Sequence, residues 1–294
     1  MLYSIGCHIM NSKKKSVIIL ILIVLPILYF ITLSCHKKET LEVIIRSQTK
    51  KEAFESLIWT ISRIPFYQEH GYQASVSSHE TFQKLARSDV YIKAIQNIIK
   101  ADIYVETEPD IYIHDIQYGE LKRIFDSEVY SEKDYEEGLK ILRDEKTTIM
   151  RAVERFSELN VLWDFKVFPQ YEVILTMYGP QGSYSYKRGE VFILASKIES
   201  SGEWVRLVVI HELVHIGVEE NIVKYYKLKQ WEKERLVDFI CSIYFKDLLP
   251  NYPMQSKGDK RLDEFINIDT IQMLPQAIEK YIKKYPRSNQ SENM

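Results

Sequence analysis

The sequence predicts an α+β fold, mostly helical, with a small β-sheet beside one helix that carries a pair of histidines. Three observations support this. Long stretches place apolar residues at helical spacing, as at Leu139, Leu142, Ile149, Val153 and Phe156. Two shorter stretches, Phe165 to Tyr178 and Arg188 to Leu194, alternate or run in β-branched and aromatic residues. Helical periodicity then returns around His211-Glu212-Leu213-Val214-His215. The 294 residues are 46% hydrophobic and 27% charged, which suits a globular chain with a real core. The 39 basic and 41 acidic residues leave a net charge of -2, so there is no nucleic-acid footprint.

The elements follow in chain order. Lys13, Lys14 and Lys15 precede an apolar run from Val17 to Leu33, broken only by Pro26, Tyr29 and Thr32. A positive segment before an apolar one is an export signal or a membrane span. Thr32-Leu33-Ser34-Cys35 at its end resembles the lipobox of bacterial lipoproteins, although Thr32 stands where that motif prefers an aliphatic residue. The resemblance implies lipidation of Cys35, a signal over residues 1–35, and tethering to the bacterial cell envelope. An uncleaved span is the alternative. Both leave the remainder outside the cytoplasm, because the lysine cluster stays inside. Cys241 is then the lone cysteine of the mature domain, with no disulfide partner, and reads as a buried small residue.

Residues 36–40 read as a linker. A strand is expected from Leu41 to Ile45, then a helix from about Lys50 that stops near Pro65, then a loop from Phe66 to Ser78. Further helices are expected near 79–100 and 133–159. After the strand within Phe165 to Tyr178, Gly179-Pro180-Gln181-Gly182 signals a turn, and Arg188 to Leu194 forms a second strand. Ser200 and Glu203 are spaced as a capping box for the helix Trp204 to Val218, which Gly217 or Asn221 could end. A second helix runs from about Lys229 to Leu248, and Asp259 to Lys284 reads as helical. This suggests a mainly helical region over 36–160 and a site-bearing region over 161–294, or one continuous domain.

Residues i and i+4 of a helix share one face, so His211 and His215 can converge on one metal ion with Glu212 beside it. Zinc in a catalytic site usually takes three protein ligands. A histidine at position 221 would mark the metzincin spacing, but that residue is Asn221. No histidine follows His215, so a downstream third ligand is a carboxylate or Cys241. On the following helix Trp231, Glu234, Asp238, Cys241 and Phe245 fall along one stripe. Two carboxylates on such a stripe are costly to bury without partners, and a metal with its histidines would supply them. Glu232, the rival, points roughly 160° away from Glu234.

HELVH followed by Glu234-Arg235-Leu236-Val237-Asp238 resembles the gluzincin family of zinc peptidases. The resemblance spans about 205–245. It implies a zincin-like catalytic domain with Zn2+ held by His211, His215 and Glu234, and with Asp238 supporting the first histidine. It also implies Glu212 as general base and a peptide or protein as substrate. Tyr225 and Tyr226 lie roughly where thermolysin-like enzymes carry an oxyanion-stabilising tyrosine. The strand Glu190 to Ala195 sits where zincins place an edge strand that pairs with substrate, unless it is simply a core strand. The aminopeptidase motif Gly-Ala-Met-Glu-Asn is missing upstream. The alternative is a non-catalytic envelope lipoprotein that keeps zinc for structure or for binding a partner. The isolated His70, His79 and His114 read as surface or loop residues.

Overall fold

A computed structural model describes residues 41–102, 115–198 and 202–286. The export segment with Cys35, the linker, His114 and the Ser200 cap lie outside the described residues. From Leu41 onward the chain is one compact unit. The fold is α+β, mostly helical, around one four-stranded mixed sheet.

The strands are β1 (Glu42–Ser47), β2 (Gln170–Thr176), β3 (Gly182–Ser185) and β4 (Glu190–Leu194), in the spatial order β1-β2-β4-β3. β1, β2 and β4 are parallel, and β3 returns antiparallel to β4. Tyr171, Val173 and Leu175 alternate along β2 into the main core, in register with Val43 of β1 and with Val191 and Ile193 of β4. The sheet therefore joins chain on both sides of residue 160, and helix α7, defined below, runs through that position. No division between 36–160 and 161–294 exists among the described residues.

The helices before the motif are α1 (Lys50–Ser62), α2 (Ile64–His70), α3 (Glu80–Ala86), α4 (Asp89–Asp102), α5 (Asp115–Ile124), α6 (Glu136–Asp144) and α7 (Lys146–Trp163). α1 begins with a capping box in which Thr49 and Glu52 satisfy each other's backbone N–H groups. Pro65 ends α1 as expected but also starts α2, because the first turn of a helix has no use for the missing N–H. The loop expected from Phe66 is thus helical to His70, and Gly71 closes it in the left-handed conformation with φ of 67°. Buried faces of α1, α3 and α4, with Phe125 and Tyr178, make a smaller second core.

α8 (Gly202–Val218) is predominantly apolar, and each residue from Val209 to Val218 is buried, as befits a helix at the centre of the main core. Gly217 does not end it. A Cβ there would lie 1.9 Å from Phe165 Cζ, so the glycine is a packing requirement. Beyond Val218 the backbone widens into a π-helical turn, Glu219–Lys224. α9 (Gln230–Tyr244) packs against α8, and α10 (Leu274–Lys284) begins with Pro275 in its first turn. The tail before α10 forms short 3-10 turns in place of one continuous helix. Among the described residues no helix is long and apolar enough to cross a membrane.

Candidate metal centre

α8 presents His211 and His215 on one face, and α9 brings Glu234 opposite them. The two imidazole Nε2 atoms are 3.0 Å apart. Glu234 Oε2 lies 3.5 Å from His211 Nε2 and 3.3 Å from His215 Nε2. All three residues are buried, and among the described residues they are the group whose donor atoms converge as metal ligands do. These separations fit a metal ion: tetrahedral zinc with ligands at about 2.0–2.1 Å holds them about 3.3 Å apart. Two nitrogens and one carboxylate oxygen are also a donor set that zinc accepts.

The electrostatics agree. Burial works against a charged His211, yet its contacts with Cys241 and Glu234 and the charge of Glu212 raise it well above the usual imidazole value. Burial pulls His215 down to about 4 against the attraction of Glu234. Burial likewise opposes ionisation of Glu234, but the facing His215 and His211 hold it well below the usual carboxylate range. The trio thus gathers around one positive charge, which a dication would supply more strongly.

Glu212 is 9% exposed beside this cluster. Burial, reinforced by Glu234 and opposed by His211 and Lys233, pushes its carboxyl up to about 7, the range in which a general base works near neutrality. Its room comes from Gly182 at the start of β3, where a Cβ would lie 2.6 Å from Glu212 Oε1 and 2.6 Å from Val208 Cγ1. Glu232 points elsewhere: it accepts the Tyr281 hydroxyl at 2.6 Å and the Lys229 N–H at 2.7 Å.

The surroundings of the ligands correct several expectations. Asp238 Oδ1 stands 4.0 Å from His211 Nδ1, and the Tyr252 hydroxyl lies between them. It is 2.6 Å from Nδ1 and donates to Asp238 Oδ1 at 2.8 Å. Asp238 therefore reaches the first histidine through Tyr252. Gln255 ties the same group together, its backbone N–H on Asp238 at 2.7 Å and its amide on Glu234 at 2.9 Å. Gln230 donates to the other Glu234 oxygen at 2.7 Å and to the Tyr72 hydroxyl at 2.6 Å.

Tyr225 and Tyr226 are not at the site. The π turn carries Tyr225 to 73% exposure, and the Tyr226 hydroxyl donates to Glu279 at 3.3 Å on α10. β4, read as either an edge or a core strand, is paired on both sides and is the core strand. The edge strand on its side of the sheet is β3, which lacked a sequence signal because Gly182-Ser183-Tyr184-Ser185 has neither an apolar alternation nor β-branched residues. Tyr184 of that edge stacks on His215 with ring centres 4.9 Å apart and planes 5° apart. Its hydroxyl donates to Glu219 at 2.7 Å and accepts from Lys233 at 3.0 Å. Cys241 is buried and free, as expected. His79 caps α3, with Nδ1 accepting the Thr81 N–H at 3.3 Å, and His70 bonds its own helix at Phe66. Neither contributes to the metal cluster. Tyr252, Gln255, Tyr72 and Tyr184 were not found from sequence, because they come from coil and a polar edge strand where no period marks a buried position, and Gln230, the first residue of α9, carries no apolar signal.

No protein-family model, no curated protein and no solved structure matches this chain.

Proposed function

We propose that this protein is a zinc-dependent peptidase of the gluzincin type, tethered to the membrane on the extracytoplasmic side. The observation that carries the reading is the convergence of His211, His215 and Glu234 at tetrahedral-edge separations, with a buried Glu212 alongside. His211, His215 and Glu234 would hold the ion. When bound, zinc supplies Lewis acidity, polarising a carbonyl and acidifying water. Glu212 takes the proton from the attacking water and returns it to the leaving nitrogen, so one carboxylate serves as base and then acid. The outer side of β3, next to Glu212, pairs with no strand among the described residues and offers a ladder for an extended peptide. The tether, by lipid on Cys35 or by an uncleaved span, is supported by the lysine cluster and the apolar run that follows it.

The reading is tested by loading the full chain with zinc and following cleavage of a mixed peptide library by the wild type and Glu212→Gln. Cleavage that disappears in a variant still holding zinc supports it. Cleavage that survives Glu212→Gln removes the mechanism, and zinc binding without cleavage favours a non-catalytic zinc-binding envelope lipoprotein.

A further inference from the structure

A cleft of about 340 Å³ lies at the carboxyl ends of the parallel strands β1, β2 and β4. Met177 and Tyr178 enter it just past β2, and Ser196 enters just past β4. On the β1 side its wall is Tyr130, whose hydroxyl donates to Gln48 O at 3.4 Å. Crevices outside the carboxyl ends of parallel strands are where such sheets bind ligands, and this volume suits a small molecule or a single side chain.

The lining has a definite chemistry. No lysine or arginine contributes to it. Asp134 and Glu128 stand exposed at its mouth. His79 Nδ1 accepts a backbone N–H, so its proton is on Nε2 and is directed to Glu128 at 3.2 Å. The floor is phenolic: Tyr135 is 2% exposed and Tyr178 7%. Neither hydroxyl has a hydrogen-bond partner among the described residues. Among the described residues the sealed, unpartnered side-chain atoms are Gln48 Oε1, Asp126 Oδ1, Arg206 Nε, His215 Nδ1 and the Tyr244 hydroxyl oxygen, and neither floor hydroxyl is one of them. Both hydroxyls therefore keep some access to solvent, and both residues line the cleft. Burial and the Asp134 charge push Tyr178 up to about 12, so it remains a phenol. The rings of Tyr130 and Tyr135 lie 6.1 Å apart, and the Lys50 ammonium already sits 5.4 Å from the centre of Tyr130.

We propose that this cleft binds the ammonium group of a ligand. Asp134 serves as its counter-ion, and the oxygens and ring faces of Tyr135, Tyr178 and Tyr130 receive its N–H groups and its charge. An anion would meet two carboxylates and no lysine or arginine in the lining. A neutral alcohol would leave the Asp134 charge uncompensated. The ammonium can belong to a lysine-like side chain or to a chain N-terminus. The proposal stands apart from the metal centre, because none of its residues is a ligand or touches one.

Calorimetric and NMR titrations of the full chain with n-butylamine, 1-butanol and butyrate at neutral pH test this. Nα-acetyl-lysine methylamide and alanyl-alanine amide separate the two sources, and saturable binding of either supports the proposal. Butylammonium is expected to bind saturably, and the alcohol and the acid are not. Asp134→Asn, at an exposed position that leaves folding intact, should weaken binding about fivefold or more, and Tyr135→Phe severalfold. Equal binding of butanol, unchanged binding by Asp134→Asn, or no saturable binding of any amine would each overturn the proposal.

Discussion

The two histidines of the motif differ only in position along one helix, yet the fold holds them in different ways. His211 is held by directional bonds: Nδ1 to Tyr252 at 2.6 Å, Tyr252 to Asp238 at 2.8 Å, and the Gln255 N–H to Asp238 at 2.7 Å. His215 has a buried Nδ1 with no partner, and its ring is fixed by parallel stacking on Tyr184. A hydrogen-bond chain to a carboxylate sets both orientation and basicity of an imidazole, whereas a stacked ring sets orientation alone. The metal affinity should therefore depend more on the chain behind His211 than on the tyrosine beside His215.

The largest expected effect tests the centre on which both histidines converge. Glu234→Ala should cost the chain its zinc, lowering affinity by at least about a hundredfold in a competition titration with a chelating dye. Glu232→Ala should keep the zinc. It should instead destabilise the fold by about 1–3 kcal/mol in urea, because the Tyr281 hydroxyl and the Lys229 N–H lose their buried acceptor. Equal zinc loss in the two variants would remove Glu234 from the ligand set.

The comparison itself is broken or sharpened one step down. Tyr252→Phe cuts the chain behind His211 and should weaken zinc binding by about tenfold to a hundredfold. Tyr184→Phe keeps the stacked ring and should change zinc affinity by less than about threefold. If the two variants weaken zinc equally, the hydroxyl network around Glu219 and Lys233 matters as much as the Asp238 chain, and the asymmetry is wrong.

Gly182→Ala separates the base from the ligands. The added Cβ displaces Glu212, so turnover should fall about tenfold or more while zinc affinity stays near the wild-type value. Loss of zinc with turnover per bound ion unchanged would contradict this placement of Glu212.

A separate effect is one of stability and pH in the metal-free protein. Glu212 binds its proton more tightly folded, at about 7, than unfolded, near 4.5. Stability should therefore fall as pH rises through that window, by roughly 3 kcal/mol at its upper end. Glu212→Gln should remove that slope, leaving the two proteins alike below the window and the variant more stable above it. Parallel urea midpoints for the two across the whole range would show that Glu212 is not held in the buried state described.

Periodicity explains what the sequence made legible. HELVH and the stripe through Glu234, Asp238 and Cys241 lie on two regular helices, where spacing alone determines which side chains share a face. The three residues of the cluster and Glu212 could be named for that reason. Tyr252 and Gln255 follow α9 in irregular chain, and Tyr184 lies on a short polar edge strand, so their approach depends on tertiary packing that no spacing records. The same limit explains β4, recognised as a strand but left open between edge and core because its neighbour β3 went unseen; it is the core strand of the two readings. Tyr225 and Tyr226 illustrate the opposite limit: position along the chain matched a family feature, but Tyr225 is exposed and Tyr226 bonds Glu279.

The central claim is that His211, His215 and Glu234 hold a zinc ion. X-ray absorption at the zinc edge on the zinc-loaded full chain tests it most directly. The account predicts one zinc per chain, two imidazole nitrogens and a carboxylate oxygen at about 2.0–2.2 Å with a further light ligand, and loss of this signature in Glu234→Ala. Sulfur in the coordination shell, or the same spectrum from Glu234→Ala, would contradict it.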